Sequence, residues 1–287
     1  MDASNGMWKL IYRPVSSGRK QSVTRRFSIR GKLNSRTDLL FGLAGIAVLI
    51  AAWCLVTYGG FVRPVFLPTP TGIWRALVDL QTNPHHDPWL LPSIWRSFWR
   101  VTRALLLVIV IGVPIGVLIG AFPQLDAFVR KIINGGKAVP ISGLLGLTTL
   151  WFGFEEKGMV VFIFLGAVFY MIILVKNAIA SVNEEYLRVA LDVGANQRQI
   201  VCRVLLPGAL PQIWDAIAVC NGIMWTYIIL AELFNGSESS LGLGYLVHMG
   251  QRLSESGKVY GALIIIALIS SITDFALLII RKRFLNW

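Results

Sequence analysis

Long runs of apolar residues are the feature that most limits how this chain can fold. Such runs cover residues 39–58, 101–122, 138–151, 159–176, 212–234 and 260–280. A backbone inside a bilayer has no water to bond with, so runs of this kind cross the membrane as α-helices. One crossing needs about 20 residues. Because the run at 138–151 is shorter, we expect it to tilt or to lie among other helices. The predicted fold is an all-α, polytopic membrane bundle of about six transmembrane helices.

Only 15% of the residues are charged, and their placement predicts the topology of the bundle. Lysine and arginine are concentrated in residues 1–36 and again in Arg281-Lys282-Arg283. Because basic segments beside apolar helices stay in the cytoplasm, we expect a basic cytoplasmic tail over residues 1–36. A transmembrane domain in contact with lipids should fill 37–287, with both termini inside, and a nucleic-acid partner is not expected. The connection before the third run should lie on the same side; it contains Arg130, Lys131 and Lys137.

The stretch between the first two apolar runs contains a pattern typical of a surface helix. In "TPTGIWRALVDL", residues 69–80, either Thr69 or Thr71 could cap a helix. One face of this helix is expected to be apolar and to lie at the membrane interface. That face carries Ile73, Trp74, Leu77 and Leu80.

A polar, amphipathic segment separates the fourth and fifth apolar runs, and it is predicted to form two short helices with a sharp bend. Asn183 is a suitable N-cap for the first helix, and Gly194 is suited to end it. Asn196 can cap the second helix, which Pro207 and Pro211 are expected to end. The segment is too polar to cross a bilayer, so we expect it at the cytoplasmic surface.

This segment resembles the signature loop of the permease subunits of bacterial ABC importers. The signature reads Glu-Ala-Ala, any three residues, Gly, any nine residues, then Ile-x-Leu-Pro. Here nine residues separate Gly194 from "VLLP", which ends at Pro207. Aligned on Gly194, Ala190 matches the second alanine, whereas Arg188 stands where the family has Glu. The resemblance implies that residues 181–211 contain a coupling helix that docks on an ATPase subunit.

The residues that would couple to the ATPase follow from the same resemblance. They are Glu184, Glu185, Arg188, Ala190, Gly194, Ala195, Leu206 and Pro207. Because Arg188 reverses the charge of the family's Glu, we expect a matching change in the ATPase partner.

Four further stretches resemble the sulfonate, taurine and nitrate branch of this permease family. They are "FLPTPTGIWRAL", "SIWRSFWRVTRALLLVIVIGVPIGVLIG", "VPISGLLGLTTLWFGFEEKG" and "AELFNGSESSLGLGYLV". With the signature loop they extend the resemblance over residues 65–287 of the chain. The fold that this resemblance implies is the type I ABC importer permease fold.

The function that the resemblance implies is import of a small anion, of the sulfonate, taurine, nitrate or bicarbonate type, through a bacterial inner membrane. The implied partners are ABC ATPase subunits that use ATP and Mg, a substrate-binding protein, and a second permease copy in a homodimer. The chain is expected to hold no cofactor and no metal and not to be an enzyme. It should not hydrolyse ATP by the phosphate-loop route, because "NGGKAVP" lacks the first glycine of a phosphate loop. The alternatives are a stand-alone channel or secondary transporter and, without a visible catalytic set, a membrane-bound enzyme.

Polar residues inside the apolar runs are the candidates for a translocation path, because polar groups are costly in a membrane and are often functional there. An anion path would favour hydrogen-bond donors on the spans, and the candidate donors are Ser142, Thr148, Thr149, Asn221 and Tyr227. Glu232, near the outer end of its span, is a path candidate that could shape an outer gate or serve only in packing.

Overall fold

The structure is a computed structural model that describes residues 34–82, 89–153, 155–233 and 241–284. The predicted tail at 1–36 lies outside the described residues except for residues 34–36. Every regular element in the described ranges is a helix. They are α1 (Ser35–Tyr58), α2 (Pro70–Thr82), α3 (Leu90–Ala121), α4 (Pro123–Ala138), α5 (Ile141–Phe152), α6 (Glu156–Ala180), α7 (Glu184–Asp192), α8 (Gln197–Ile200), α9 (Leu206–Leu233), α10 (Leu243–Arg252) and α11 (Ser256–Phe284).

Five helical spans in the described residues are long and apolar enough to cross a bilayer. They are Arg36–Tyr58, Leu90–Ala121, Glu156–Ala180, Gln197–Leu233 and Ser256–Arg283, while α5 is apolar but short. The predicted all-α membrane bundle is therefore confirmed. The chain divides into two compact units, Met1–Ala52 and Trp53–Trp287, and every site described below belongs to the second unit.

Helices α3 and α6 lie side by side and parallel, with their backbones in close approach. Glycines spaced four residues apart on α3 face side chains with the same spacing on α6: Gly112 faces Met171, Gly116 faces Val175, and Gly120 faces Ile179. A Cβ on Gly116 would lie 2.7 Å from the Cβ of Val175, so a larger residue does not fit without displacement. Small residues of this kind let membrane helices pack closely. The buried core is built around this pair and α9.

Helices α4 and α5 return along α6 in the opposite direction and form one discontinuous crossing. The contacts with α6, in order along the chain, are Asp126 with Lys176, Gly136 with Phe169, Ile141 with Gly166, and Phe152 with Gly158. Between the two helices Val139 and Pro140 have extended backbone conformations. A proline cannot donate a helical hydrogen bond, so the helix is interrupted at this point. The third crossing is therefore longer than the run predicted at 138–151, and it is broken.

The basic residues before α5 lie on a helix and not in a simple connection, which corrects the prediction. Arg130 pairs with Asp126, one turn earlier on α4, at 2.5 Å. Lys137 lies in the last turn of α4, next to the break. The charges of α4 lower its mean hydropathy, and this is why an apolar-run criterion excluded it from the crossing.

Helix α9 continues directly from α8, which corrects the predicted end of the second short helix. A π-helical turn, Val201–Leu205, joins the two, and all three parts form one span, Gln197–Leu233. In this turn the Leu206 N–H bonds to a carbonyl five residues back instead of four. Pro207 lies in the first turn of α9 and Pro211 inside it, so neither ends the helix. A proline crowds the carbonyl of the preceding turn, and a wider π turn gives that carbonyl more room.

The surface helix predicted from "TPTGIWRALVDL" is α2, which packs on α11. Thr69 is its cap, because Thr69 Oγ1 accepts the Gly72 N–H at 3.1 Å. Ile73 and Leu80 are buried, but Trp74 is 69% exposed. The prediction that Trp74 shares their face is therefore wrong, since it follows Ile73 by one residue and is rotated from it by about 100° around the helix.

Candidate functional site

The polar segment before α9 begins with a capped helix, as predicted. The Asn183 side chain accepts the Glu185 N–H at 3.0 Å and caps α7. Glu184 and Glu185 occupy the first turn, where the helix dipole favours acidic side chains. Arg188 lies one turn on and forms an ion pair of 3.4 Å with Glu184, and the two side chains are 76% and 82% exposed. Both charges are therefore open to a partner.

The bend after α7 is a Schellman turn centred on Gly194. The Ala195 N–H bonds to the Ala190 carbonyl and the Gly194 N–H to the Leu191 carbonyl, both at 2.9 Å. Gly194 has a φ of +78°, although no described heavy atom lies within 4 Å of the place where its Cβ would be. Ala190 is buried. The predicted end of the helix at Gly194 is confirmed, and backbone conformation, not lack of space, requires the glycine.

A capping box starts α8 after the bend. Asn196 Oδ1 accepts the Gln199 N–H at 2.9 Å, and the Asn196 N–H donates to Gln199 Oε1 at 2.8 Å, so the predicted cap is confirmed. Because α8 runs through the π turn into α9, the bend is joined to a helical span of 37 residues. At the junction Leu206 is half-buried and Pro207 is exposed. The two helices are therefore parts of one helical span.

Large apolar side chains are exposed on α7 and at its end, although this segment is polar overall. Their exposed fractions lie between 59% and 78%; the residues are Tyr186, Val189, Leu191 and Val193. Exposed apolar patches with a charged rim are typical of surfaces that another protein covers. We call residues 181–211 the coupling segment.

Three of the predicted path residues lie on α5, and they differ in whether the hydroxyl group bonds to its own helix. Ser142 is exposed near the start of the helix. Thr148 and Thr149 donate to carbonyls of the preceding turn of α5 at 2.9–3.0 Å. Such bonds satisfy the hydroxyl group within its own helix, so Thr148 and Thr149 do not present free donors.

Asn221 joins α9 to α11. It is buried, and its side-chain amide donates to Thr273 Oγ1 at 2.9 Å and to Asp274 Oδ1 at 2.8 Å. Nearer the start of α9, Asp215 forms an ion pair of 2.6 Å with Arg281 of α11. Since a buried amide with two partners has its donors satisfied, the packing of α9 on α11 accounts for Asn221.

Glu232 lies in a buried charged cluster at the end of α9. Its carboxylate accepts hydrogen bonds from Arg100 Nη1 at 2.8 Å, Ser97 Oγ at 2.7 Å and the Gly244 N–H at 2.8 Å. Arg100 also binds Glu156, whose side chain is 46% exposed, whereas Arg100 and Glu232 are fully buried. The cluster joins α3, α6, α9 and α10. We call Ser97, Arg100, Glu156 and Glu232 the Arg100 cluster.

Arg100 was missed by reasoning from the sequence, although a signal was present. Ser93, Ser97 and Arg100 recur at helical spacing on α3, and all three are buried. An ionisable residue on such a polar stripe in an apolar helix calls for a partner inside the bundle. Its partners Glu156 and Glu232 could not be identified, because they are distant in sequence and no local pattern connects them to α3.

Tyr227 lies beside a cavity at the break between α4 and α5. The cavity has a volume of about 160 Å³ and is bounded by α4, α5, α6 and α9. Its polar side chains are those of Lys137, Tyr170 and Tyr227. Tyr227 is thus a predicted path residue that borders an internal space, whereas Lys137 and Tyr170 were not predicted as site residues.

Comparison with known proteins identifies the family of the chain. Residues 112–286 match the family described as "Binding-protein-dependent transport system inner membrane component". The chain is similar to the taurine transport system permease protein TauC of Escherichia coli (strain K12), with 27% identity over 92% of this chain and 94% of TauC. It is 30% identical to SsuC of Bacillus subtilis (strain 168), assigned as an aliphatic sulfonates transport permease protein, over 86% of this chain and 87% of SsuC.

A solved structure supports the same fold. The methionine ABC transporter MetNI, in an inward-facing conformation, matches with a TM-score of 0.61 and 22% identity over 70% of this chain and 98% of that chain. The expected type I ABC importer permease fold is therefore confirmed. The chain belongs to the binding-protein-dependent transport system inner membrane component family, the permease subunits of ABC importers, for which a separate subunit hydrolyses ATP.

Proposed function

We propose that this chain forms the inner-membrane path for a small anion with a sulfonate or similar group. Support for this class comes from the relatives that the chain resembles over most of its length, which are named for taurine and aliphatic sulfonates. A substrate-binding protein delivers the anion. A second copy of the chain completes the path around a twofold axis, the commonest symmetry of homo-oligomers.

The coupling segment docks on the ATPase subunit, which binds ATP and Mg. The observation that carries this proposal is the exposed apolar surface of α7, held by the Schellman turn at Gly194 to a helix that continues into α9. Closure of the ATPase subunits on ATP moves the coupling segment, and α9 moves with it because the π turn keeps α8 and α9 within one helical span. Access to the path then changes from one side of the membrane to the other.

This docking sets the orientation of the chain. The end of the bundle at which α6 finishes and α7 lies, which we call the α7 end, is cytoplasmic. Arg281 pairs with Asp215 near the start of α9, so the basic run Arg281-Lys282-Arg283 lies at the α7 end as well. Basic residues beside spans are typical of the cytoplasmic side. The tail at 1–36 and the transmembrane domain at 37–287 then have the predicted topology, with both termini inside.

The predicted path residues have two kinds of role in this proposal. Tyr227 and Ser142 line the path, because neither side chain is fully buried in the bundle. The others hold the helices around the path through the hydrogen bonds described above; they are Thr148, Thr149, Asn221 and Glu232.

A matched pair of substitutions tests the docking. Val189→Asp places a charge on the apolar surface of α7, where Val189 is 61% exposed. Val65→Asp makes the same change at a residue that is 59% exposed, beside the start of α11 and at the opposite end of the bundle. We expect Val189→Asp to weaken association with the ATPase by about 10-fold or more, since a charge in an apolar contact centre is costly, and Val65→Asp to leave it unchanged.

The readouts are co-purification of the ATPase subunit and ATP-driven uptake of labelled taurine and ethanesulfonate. Both use the whole complex, with its binding protein, in proteoliposomes. Native association in the Val189→Asp complex would contradict the docking. The substrate class would be contradicted if the wild-type complex imported neither taurine nor ethanesulfonate in the presence of ATP.

A further inference from the structure

The cavity at the break between α4 and α5 lies away from both ends of α6, and Lys137, which lines it, is exposed in the single chain. Along the helix axes, at ~1.5 Å per residue, Tyr170 lies about 21 Å from Glu156 and about 9 Å from Lys176. A solute that moves between the two ends of the bundle would therefore meet this cavity between them.

Lys137 brings a positive charge to this cavity. It lines the space together with Tyr170 and Tyr227. Within the part of the chain that the structure describes, Lys137 forms no ion pair with a carboxylate, unlike the neighbouring Arg130 and Lys176, which both bind Asp126. A cationic group within a crossing and without a fixed counter-ion favours a mobile anion.

The other groups around the cavity are also suited to an anion. Tyr170 and Tyr227 both line the cavity, and each hydroxyl group can donate one hydrogen bond. Gly166 leaves room for the Tyr227 ring, because a Cβ at this position would lie 2.6 Å from the ring. The first residue of α5, Ile141, lines the same space, and the C-terminal end of α4 does so as well. Because the positive end of one helix and the negative end of the other meet there, Lys137 supplies the net positive charge.

We infer that this cavity is a binding site for a small oxyanion on the translocation path, with Lys137 as the counter-charge and the hydroxyl groups of Tyr170 and Tyr227 as donors. The inference rests on the proposed function for the direction of transport. The cavity of about 160 Å³ exceeds the ~30 Å³ of one water molecule several-fold. It is thus large enough for a sulfonate, carboxylate or bicarbonate group without its hydration shell.

Binding to the permease–ATPase complex without the binding protein tests this site, because the binding protein then cannot hold the anion and the Lys137 variants report which part of the signal belongs to the cavity. The probe is labelled ethanesulfonate, measured at equilibrium on the purified complex. We expect saturable binding by the wild type. Lys137→Gln should weaken it by about 10-fold or more, as the loss of a charged hydrogen-bond partner does, while Lys137→Arg should retain it.

Lys131→Gln is the matched control, since Lys131 is an exposed lysine of the same helix that does not line the cavity. It should bind the probe as the wild type does. Co-purification of the ATPase subunit reports whether each variant folds. If Lys137→Gln fails to assemble, Tyr227→Phe replaces it, because it removes one oxygen atom and should weaken binding by about 3-fold or more.

The outcomes separate this inference from the proposed function. ATP-driven uptake by the wild-type complex, combined with equal probe binding by the wild type, Lys137→Gln and Tyr227→Phe, would overturn the site and leave the function standing. Absence of saturable binding by the wild type would overturn the site as well. Loss of binding in Lys137→Gln and not in Lys131→Gln supports the site, whatever sulfonate the intact complex imports.

Discussion

Single residues in this protein carry charge where the surroundings are apolar, and the Arg100 cluster shows how this is tolerated. Removing a carboxylate from water costs several kcal/mol, which an ion pair offsets only when further hydrogen bonds satisfy the remaining lone pairs. Glu232 meets this condition through Ser97 and the Gly244 N–H in addition to Arg100. The charges are therefore stable as a set, and the loss of one member leaves the others unpaired.

The substitution Glu232→Gln tests this interdependence. It leaves Arg100 buried with a weaker partner, so we expect the free energy of unfolding to fall by about 3 kcal/mol or more. Glu155→Gln is the control, because Glu155 is exposed beside the cluster, and its effect should stay within about 0.5 kcal/mol. The measurement is thermal and denaturant unfolding of the purified chain in detergent. Equal stability of the two variants would show that the cluster does not hold the helices together.

Gly194 allows a test that changes backbone strain and little else. No described atom crowds its Cβ position, so Gly194→Val acts through the φ of +78°. A β-branched residue in that conformation costs about 1–3 kcal/mol, whereas asparagine tolerates it. We expect Gly194→Val to reduce ATPase co-purification and ATP-driven uptake, and Gly194→Asn to keep both near the wild-type level. Similar losses in the two variants would mean that the bend is not what matters at this position.

Among the elements, the α3–α6 pair depends on backbone proximity. The substitution Gly116→Ala would place a methyl group 2.7 Å from the Val175 Cβ and 3.0 Å from the Ile172 carbonyl, which is backbone and cannot turn away. We expect it to separate the helices and to destabilise the chain by about 1–3 kcal/mol, the usual cost of overpacking.

Gly222→Ala is the control for that prediction, since a Cβ at Gly222 has no described neighbour within 4 Å. It should be neutral or should stabilise α9 by up to about 1 kcal/mol, because alanine is the better helix former. Thermal unfolding in detergent compares the two variants with the wild type. If both shift the midpoint equally, close packing is not the role of Gly116.

Local chemistry explains which elements could be predicted from the sequence. The caps and the turn of the coupling segment depend on interactions within a few residues, so the local sequence predicts them. They are formed by Asn183, Gly194 and Asn196. The continuity of α8 with α9 could not be predicted from the sequence. It depends on a π turn that accommodates Pro207, and the residue pattern gives no signal for such a turn. Helix α4 was also missed, because the charges of Lys137 and its neighbours keep this stretch from being an apolar run. Hydropathy alone does not show that α4 pairs with α6.

The candidate site likewise has parts that are local in sequence and parts assembled from distant residues. The signature of the coupling segment is contiguous in sequence, and its docking role stays a prediction. The cavity instead brings together Lys137, Tyr170 and Tyr227 from three helices. Of these, the sequence pattern indicated Tyr227, as a polar residue in a span. The remaining predicted donors, such as Thr148 and Asn221, are polar residues whose partners are other parts of the bundle.

The whole molecule is organised around two structures that meet at the cavity. One is the continuous helix Gln197–Leu233, which leads from the coupling segment to Tyr227. The other is the discontinuous crossing of α4 and α5, whose break carries Lys137. The Arg100 cluster joins the start of α6 to the end of α9 and to the first half of α3. A displacement at the α7 end is thus expected to alter the cavity while the opposite end stays joined.

The central claim is that the α7 end binds the ATPase subunit. Photo-cross-linking in the assembled transporter tests this claim most directly. A photoreactive amino acid is placed at position 189 in one preparation and at position 65 in another. The residue at 189 should become covalently joined to the ATPase subunit, and the residue at 65 should not. Cross-linking to the ATPase from position 65, or its absence from position 189 in a complex that imports substrate, would contradict the account.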